Sequence, residues 1–133
     1  MSKITIASAL LLNEQKDLLV VRKHHSKFYM LPGGKVEHQE TYIQTLIREL
    51  HEELSLQFEP IDFNYLGQHK TSAANEKDTI VEGNIFLLNK VLEDLPSANA
   101  ELAEVRFISK SEYQNFQLAH LLREFALPIW ISL

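Results

Sequence analysis

Residues 33–56 read GGKVEHQETYIQTLIRELHEELSL, and the way that stretch folds decides how the rest of the chain is organised. After the glycine pair and a polar run, apolar residues recur at Ile43, Leu46, Ile47, Leu50 and Leu54, the spacing of one face of an α-helix. Thr41 stands at the N-cap, Gln44 three residues later completes a capping box, and Ser55 marks the expected end. At about 100° per residue, Glu52, Glu49 and Glu53 lie roughly 40°, 100° and 140° from Arg48, while the apolar set spans roughly 160° to 260°. One face is greasy and the adjoining face holds three carboxylates. Like charges at this spacing repel, by a few tenths of a kcal/mol per pair. Solvation with partial relief from Arg48 is one way to tolerate that. A hard cation such as Mg²⁺ is another, since it takes oxygen ligands, keeps several waters and bridges carboxylates to substrate phosphates.

Upstream, Lys3 to Leu12 is rich in Ile, Leu and Ala, turn-prone residues follow from Asn13 to Asp17, and Leu18 to Val21 resumes an apolar run. The pattern predicts a β-hairpin with a longer loop. Pro32-Gly33-Gly34 is a strong break before the helix. Downstream, Ile61 to Gly67 and Thr79 to Leu88 read as strands separated by the polar stretch His69 to Asp78. Leu92 to Ala100, with Pro96, reads as a loop, Val105 to Ile108 as a short strand, and Ser109 to Glu112 as the opening of a helical turn. Leu118 to Leu127 is expected to be a helix that Pro128 stops. Strands on both sides of a central helix, with a terminal helix, predict an α/β fold with helices packed on a mixed sheet.

The 133 residues suit one domain with its own core, and 45% apolar with 23% charged residues is ordinary globular usage. The net charge of −5 comes with no basic stripe, which argues against long nucleic acid as a partner. There is no Cys, hence no disulfide and no thiolate zinc site. The apolar stretch before Ala7 is too short for the core of a signal peptide, and no run reaches the roughly 18 apolar residues of a membrane helix. The expectation is a cytoplasmic protein with no membrane partner, monomeric or homodimeric.

The wider spacing separates the two readings of the acidic helix. Gly34, five residues, Glu40, seven residues, then Arg48-Glu49-Leu50-His51-Glu52-Glu53, one residue and Ser55-Leu56 resembles the Nudix box, G-x5-E-x7-R-E-U-x-E-E-x-G-U with U aliphatic. Six charged or glycine positions match, which chance produces about once in ten million windows at roughly one residue in fifteen. The approach Val20-Val21-Arg22-Lys23 and Tyr29-Met30-Leu31-Pro32-Gly33-Gly34-Lys35, and the stretch Ala100 to Phe107, are similar to the flanks of the box in small MutT-like members.

The resemblance implies a single Nudix domain over 1–133 (box 34–56), an α/β/α sandwich with a mixed β-sheet and a loop–helix–loop. It also implies Mg²⁺, or Mn²⁺, held against a diphosphate while water attacks phosphorus. Glu49 and Glu53 would be the core metal ligands and Glu52 would hold a further ion directly or through water. The Gly33 carbonyl is the matching backbone ligand, Arg48 would orient Glu49, and Glu40 would brace the loop. Glu101, six residues before Phe107, matches a distal metal-binding glutamate, and Glu49, Glu52, Glu53 and Glu101 are all candidates for the base. Two positions depart from the pattern. Ser55 replaces the helix-ending glycine, at a cost of about 1 kcal/mol in a left-handed conformation, and Gln39 stands where a glycine often precedes the first glutamate.

The substrate is less well marked. Arg22, Lys23 and Lys35 flank the expected site as candidate phosphate contacts, and Glu76, in Ala73-Ala74-Asn75-Glu76, is a further loop carboxylate. His120 falls where MutT-like enzymes that act on oxidised guanine carry an asparagine; imidazole cannot present an amide's paired donor and acceptor. The function implied is Mg²⁺-dependent hydrolysis of a diphosphate linkage in a nucleoside triphosphate or other nucleoside diphosphate derivative. The alternative is a Nudix-fold module that binds a nucleotide without cutting it.

Overall fold

A computed structural model describes residues 2–133. The elements are β1 (Ser2–Asn13), β2 (Leu18–Lys23), β3 (Gly33–Lys35), α1 (Tyr42–Leu54), β4 (Phe63–Ser72), β5 (Thr79–Leu92), β6 (Leu102–Ile108) and, after a π-helical turn at Leu122–Ala126, α2 (Leu127–Ile131). The sheet runs β4-β5-β1-β2-β6, with β3 paired to β1. β1 and β5 are parallel, while the β1–β2, β1–β3, β2–β6 and β4–β5 pairs are antiparallel, so the sheet is mixed as expected.

Alternation along β1 sorts the core into two layers. Ala7, Ala9 and Leu11 face α1 and pack with Leu46, Leu50 and Leu54; Leu10 faces the other way, toward Leu121, Leu122, Ala126 and Trp130. α1 therefore covers one face of the sheet and the C-terminal helix the other. Trp130 is fully buried and its indole N–H donates to the Lys16 carbonyl at 2.8 Å, tying that helix to the β1–β2 turn.

α1 has the boundaries the sequence predicts. Thr41 is extended, its hydroxyl accepts from Gln44 N, and the Gln44 side chain accepts from Thr41 N at 2.9 Å. Ser55 closes the helix in the left-handed region at φ 57°.

Three expectations need correction. Gly33-Gly34 is not a free loop: Gly33–Lys35 pairs with β1 at Ser8, Ala7 and Ile6. β4 runs on through His69 to Ser72, because those residues find backbone partners in β5 as far as Ile80. The helix does not stop before Pro128. Its wide turn, closed by Leu127 N–H to the Leu122 carbonyl, leaves Pro128 in the first turn of a fresh α-helical segment, where a missing N–H costs nothing.

The split in the sheet matters most for function. β2 meets β1 at Leu12↔Leu18 and then follows β6, while β3 takes its place beside the first half of β1. The two arms frame a gap that opens onto both the α1 face and the C-terminal face.

Candidate active site

The gap is a cleft of about 360 Å³ whose walls differ in chemistry. Its lining combines the polar Lys23, Lys35, Glu49, Glu53 and Glu101 and the Gly33-Gly34 backbone with the aliphatic Ile4, Ile6, Val81, Leu121 and Leu122, and His120 and the Thr71–Glu76 segment complete it.

The angular order of the glutamates on α1 sets their burial. The Glu52 side chain, farthest from the apolar face, is 53% exposed; that of Glu49 is 14% exposed, and Glu53, at the border of the core, is 3% exposed overall. Glu53 carries the site's main electrostatic tension, because its Oε1 is buried with no hydrogen-bond partner. Burial, then the neighbouring Glu49 and Glu101 carboxylates, push its pKa up to about 8, against a partial pull from the Gly33 amide and Lys23. Burial also raises Glu49, opposed by Arg48.

Gly33 and Gly34 are glycines for different reasons. Gly33, with φ at 147°, packs so closely on Ala7 and Ser8 that a Cβ has no room. The hydrogen bonds Ala9 N–H to Pro32 O and Val36 N–H to Thr5 O mark the bonded pairs of this ladder. Gly33↔Ser8 is therefore a non-bonded pair, and both its N–H and its C=O point away from β1. At Gly34 a Cβ would run into the Glu49 carboxylate.

Arg48 sits behind this wall rather than in it. Its Nε and Nη2 donate to the two Glu40 oxygens at 2.7 and 3.0 Å, Nη1 to Glu49 Oε1 at 2.7 Å, and Nη2 also to the Lys35 carbonyl at 3.2 Å. One planar cation thus locks the β3–α1 connection to the helix and holds Glu49 in place. Glu40 also accepts from Thr45 Oγ1 and Glu37 N; Arg48 first, then these two, hold its pKa down at about 2. Glu40 braces the loop.

The other residues singled out from the sequence divide. Lys23 and Lys35 line the cleft, within 3.7 Å of Glu101 and 4.0 Å of Glu76 respectively. Glu76 and His120 line it too. Arg22 and Glu52 do not. Alternation turns Arg22 away from its neighbours Val21 and Lys23, onto Glu104 at 3.1 Å and the Ser26 carbonyl at 2.9 Å. Glu52 leans toward Arg48 at 3.5 Å.

Sequence reading missed Ser8, 2% exposed on the cleft floor beside Gly33, and the aliphatic wall. Only the alternation of β1, which puts Ile4, Ile6 and Ser8 on one face, signals them. It also missed the tie from Ser26 Oγ to Asn75 Oδ1 at 3.0 Å, which draws the β4–β5 loop across the rim.

The residues present fit a hard cation. Glu53 Oε1 is a buried oxygen without a donor, Glu49 lies beside it, and the Gly33 carbonyl points off the sheet. Among the described residues no three His, Cys, Asp or Glu side chains gather closely enough to enclose an ion.

Comparison with known proteins agrees with this geometry. The NUDIX domain model matches residues 3–127. An 8-oxo-dGTP diphosphatase from Escherichia coli (strain K12) is 31% identical over 81 residues, an alignment that spans 53% of this chain and 63% of that enzyme. Its match thus covers less than two thirds of the relative's length. Among solved structures, a MutT protein from Methanosarcina mazei Go1 superposes with a TM-score of 0.79 at 24% identity, over 98% of this chain and 94% of that one. A bifunctional NMN adenylyltransferase/ADP ribose pyrophosphatase from Francisella tularensis, complexed with AMP and a Mn ion, gives 0.68 at 22% identity, over 98% of this chain and 41% of that one. With the family model spanning nearly the whole length and the fold shared throughout, this chain is a member of the Nudix family.

Proposed function

We propose that residues 1–133 form one Nudix domain that hydrolyses a diphosphate linkage in a nucleoside triphosphate or other nucleoside diphosphate derivative, with Mg²⁺ (or Mn²⁺) as cofactor. The observation that carries this is the buried, donor-less Glu53 Oε1 in a cleft lined by carboxylates, lysines and aliphatic side chains. A carboxylate held in that condition is destabilising by itself and is compensated by a cation.

Glu53 and Glu49 would hold the ion, with the Gly33 carbonyl as a backbone contact, and Arg48 fixes the direction of Glu49. When bound, such a cation would neutralise charge on the diphosphate and lower the pKa of a coordinated water. Lys23 and Lys35 stand at the mouth to take phosphate oxygens. Glu101, which also lines the cleft, is one candidate to take the proton from the attacking water, beside Glu49, Glu52 and Glu53. Glu52, turned outward, serves through water at most. In the Escherichia coli relative the substrate is named by the enzyme, 8-oxo-dGTP. Here His120 replaces an amide with a ring, and selectivity for that base is not expected.

Glu53→Gln tests the reading. With Mg²⁺ and a panel of nucleoside triphosphates and diphosphate esters, followed by product mass, the parent protein releases a nucleoside monophosphate. The variant, unchanged in fold, loses about a thousandfold or more in kcat. Equal turnover by the two proteins contradicts the assignment; tight nucleotide binding with no turnover by either would favour a binding module.

A further inference from the structure

The sheet has two outer edges, β4 and β6, and they are built differently. In β4 an irregularity between Tyr65 and Gly67 breaks the strand, and Lys70, 63% exposed, stands beyond it. Bulges and lysines are devices that keep an edge from pairing with another chain. Among the described residues β6 has β2 as its strand partner, and the irregularity in that pair falls before Glu104. Glu104–Ile108 is therefore a regular edge, and every residue from Glu104 to Phe107 is partly exposed.

The partners of β2 decide which backbone groups of β6 face outward. Val21 exchanges both its hydrogen bonds with Met30, at 2.8 Å each, and so has none for Val105 opposite it. Val21↔Val105 is thus a non-bonded pair, and Val105 turns its N–H and C=O to the free edge, as does Phe107. No turn or loop among the described residues takes them up.

A second copy running antiparallel meets these groups, and charge selects the register. Outward-facing residues must pair with outward-facing ones, so the central two-fold axis passes at residue 104, 105 or 106. An axis at 104 sets two glutamates against each other, and one at 106 sets two arginines. An axis at Val105 instead sets Glu104 against Arg106 of the second copy, twice, where like charges would destabilise and opposite ones stabilise. Arg106 has a donor to spare, because its Nε is buried without an acceptor. On the α1 face the same register lays Val105 against Val105 and Phe107 against Ala103, all apolar.

We infer that β6 is a homodimer interface: a second copy of this chain adds its β6 antiparallel about Val105 and joins the two sheets across a two-fold axis.

Sedimentation of the full chain over roughly 1 µM to 1 mM is expected to show monomer giving way to dimer. Amide exchange on the same samples locates the contact. Val105 and Phe107 gain protection as concentration rises, while Glu104 and Arg106, whose amides face β2, are protected throughout. Arg106→Glu sets carboxylates against each other across the axis and weakens association about tenfold or more, whereas Arg106→Lys stays within about threefold of the parent. The exchange measurement needs no variant, so it decides the matter even if Arg106→Glu does not fold. A monomer at every concentration overturns the inference. So does a dimer that leaves Val105 and Phe107 exchanging freely, or one that folded Arg106→Glu forms equally tightly.

Discussion

Glu40 and Glu53 stand at the two ends of one motif and carry the same side chain, yet their pKa values are displaced in opposite directions, to about 2 and about 8. Around Glu40 every oxygen has a donor: Arg48 twice, Thr45 and the Glu37 amide. Around Glu53 the core closes in and one oxygen is left without a partner. The first is a finished contact that holds the loop to the helix; the second is an unfinished one that a ligand completes. Proximity in a motif therefore does not make two carboxylates equivalent, and their number of donors tells the roles apart.

Replacing each by glutamine gives the largest contrast. Glu53→Gln removes about a thousandfold or more from kcat while the melting temperature of metal-free protein holds or rises, since a neutral amide costs less to bury. Glu40→Gln lowers Tm by a few degrees and costs about 10- to 100-fold in activity, because Glu49 loses the anchor behind Arg48. Steady-state kinetics and thermal melts on both variants decide it; a stability loss confined to Glu53→Gln would reverse the two roles.

Proton linkage sharpens the same contrast in the metal-free protein. The folded-state value of Glu53 is raised from 4.5 to about 8, so its contribution is full below about pH 4.5 and is lost as pH rises toward 8. Glu40 is lowered from 4.5 to about 2, so its contribution is present above about pH 4.5 and is lost as pH falls toward 2. Metal-free protein is thus expected to weaken on both sides of a maximum near pH 4.5 to 5 from these two groups, by a few kcal/mol at most on the alkaline side. Urea unfolding across pH should show Glu53→Gln flattening the alkaline limb and Glu40→Gln the acid limb. Saturating Mg²⁺ should raise the alkaline limb of the parent protein and leave that of Glu53→Gln nearly unmoved.

How much of this was legible in the sequence depends on whether a feature is coded locally. α1 was legible to the residue because the Thr41 and Gln44 side chains fix its start, and Ser55 closes it through a left-handed backbone and its own N–H. The ranking of the three glutamates was legible too, since helical angle alone orders their burial. What lay outside was set by partners far along the chain. β3 exists because β2 leaves β1 free to pair with Gly33–Lys35. Arg22 leaves the cleft because Glu104, 82 residues away, takes it. Pro128 is tolerated because of a wide turn that no local signal marks. Ile4, Ile6 and Ser8 read as ordinary strand residues until β1 is placed over the gap.

A smaller effect is expected at Gly34, where the close approach of Glu49 leaves no space for a side chain. Gly34→Ala should shift the Glu49 carboxylate, which Arg48 holds at 2.7 Å, and lower activity about tenfold with a modest loss in Tm. The Mg²⁺ concentration for half-maximal rate should rise along with it. If activity falls while that concentration stays fixed, Glu49 is not among the ion's ligands.

The smallest effect is expected at Ser55. A non-glycine residue in the left-handed region costs about 1 kcal/mol, which by itself makes Ser55→Gly stabilising. The structure supplies an offset. Asn99 Nδ2 donates to Ser55 Oγ at 2.8 Å, and the Asn99 amide donates to the Glu53 carbonyl at 2.9 Å, so the β5–β6 loop ties off the end of the helix that carries the site. Glycine relieves the backbone and forfeits the side-chain bond, which is worth about 1 kcal/mol, and the net change should stay within about 0.5 kcal/mol. In an Asn99→Ala background only the relief is left, so Ser55→Gly should stabilise there by close to the full ~1 kcal/mol. Equal effects of Ser55→Gly in the two backgrounds would show that Asn99 does not compensate for the missing glycine.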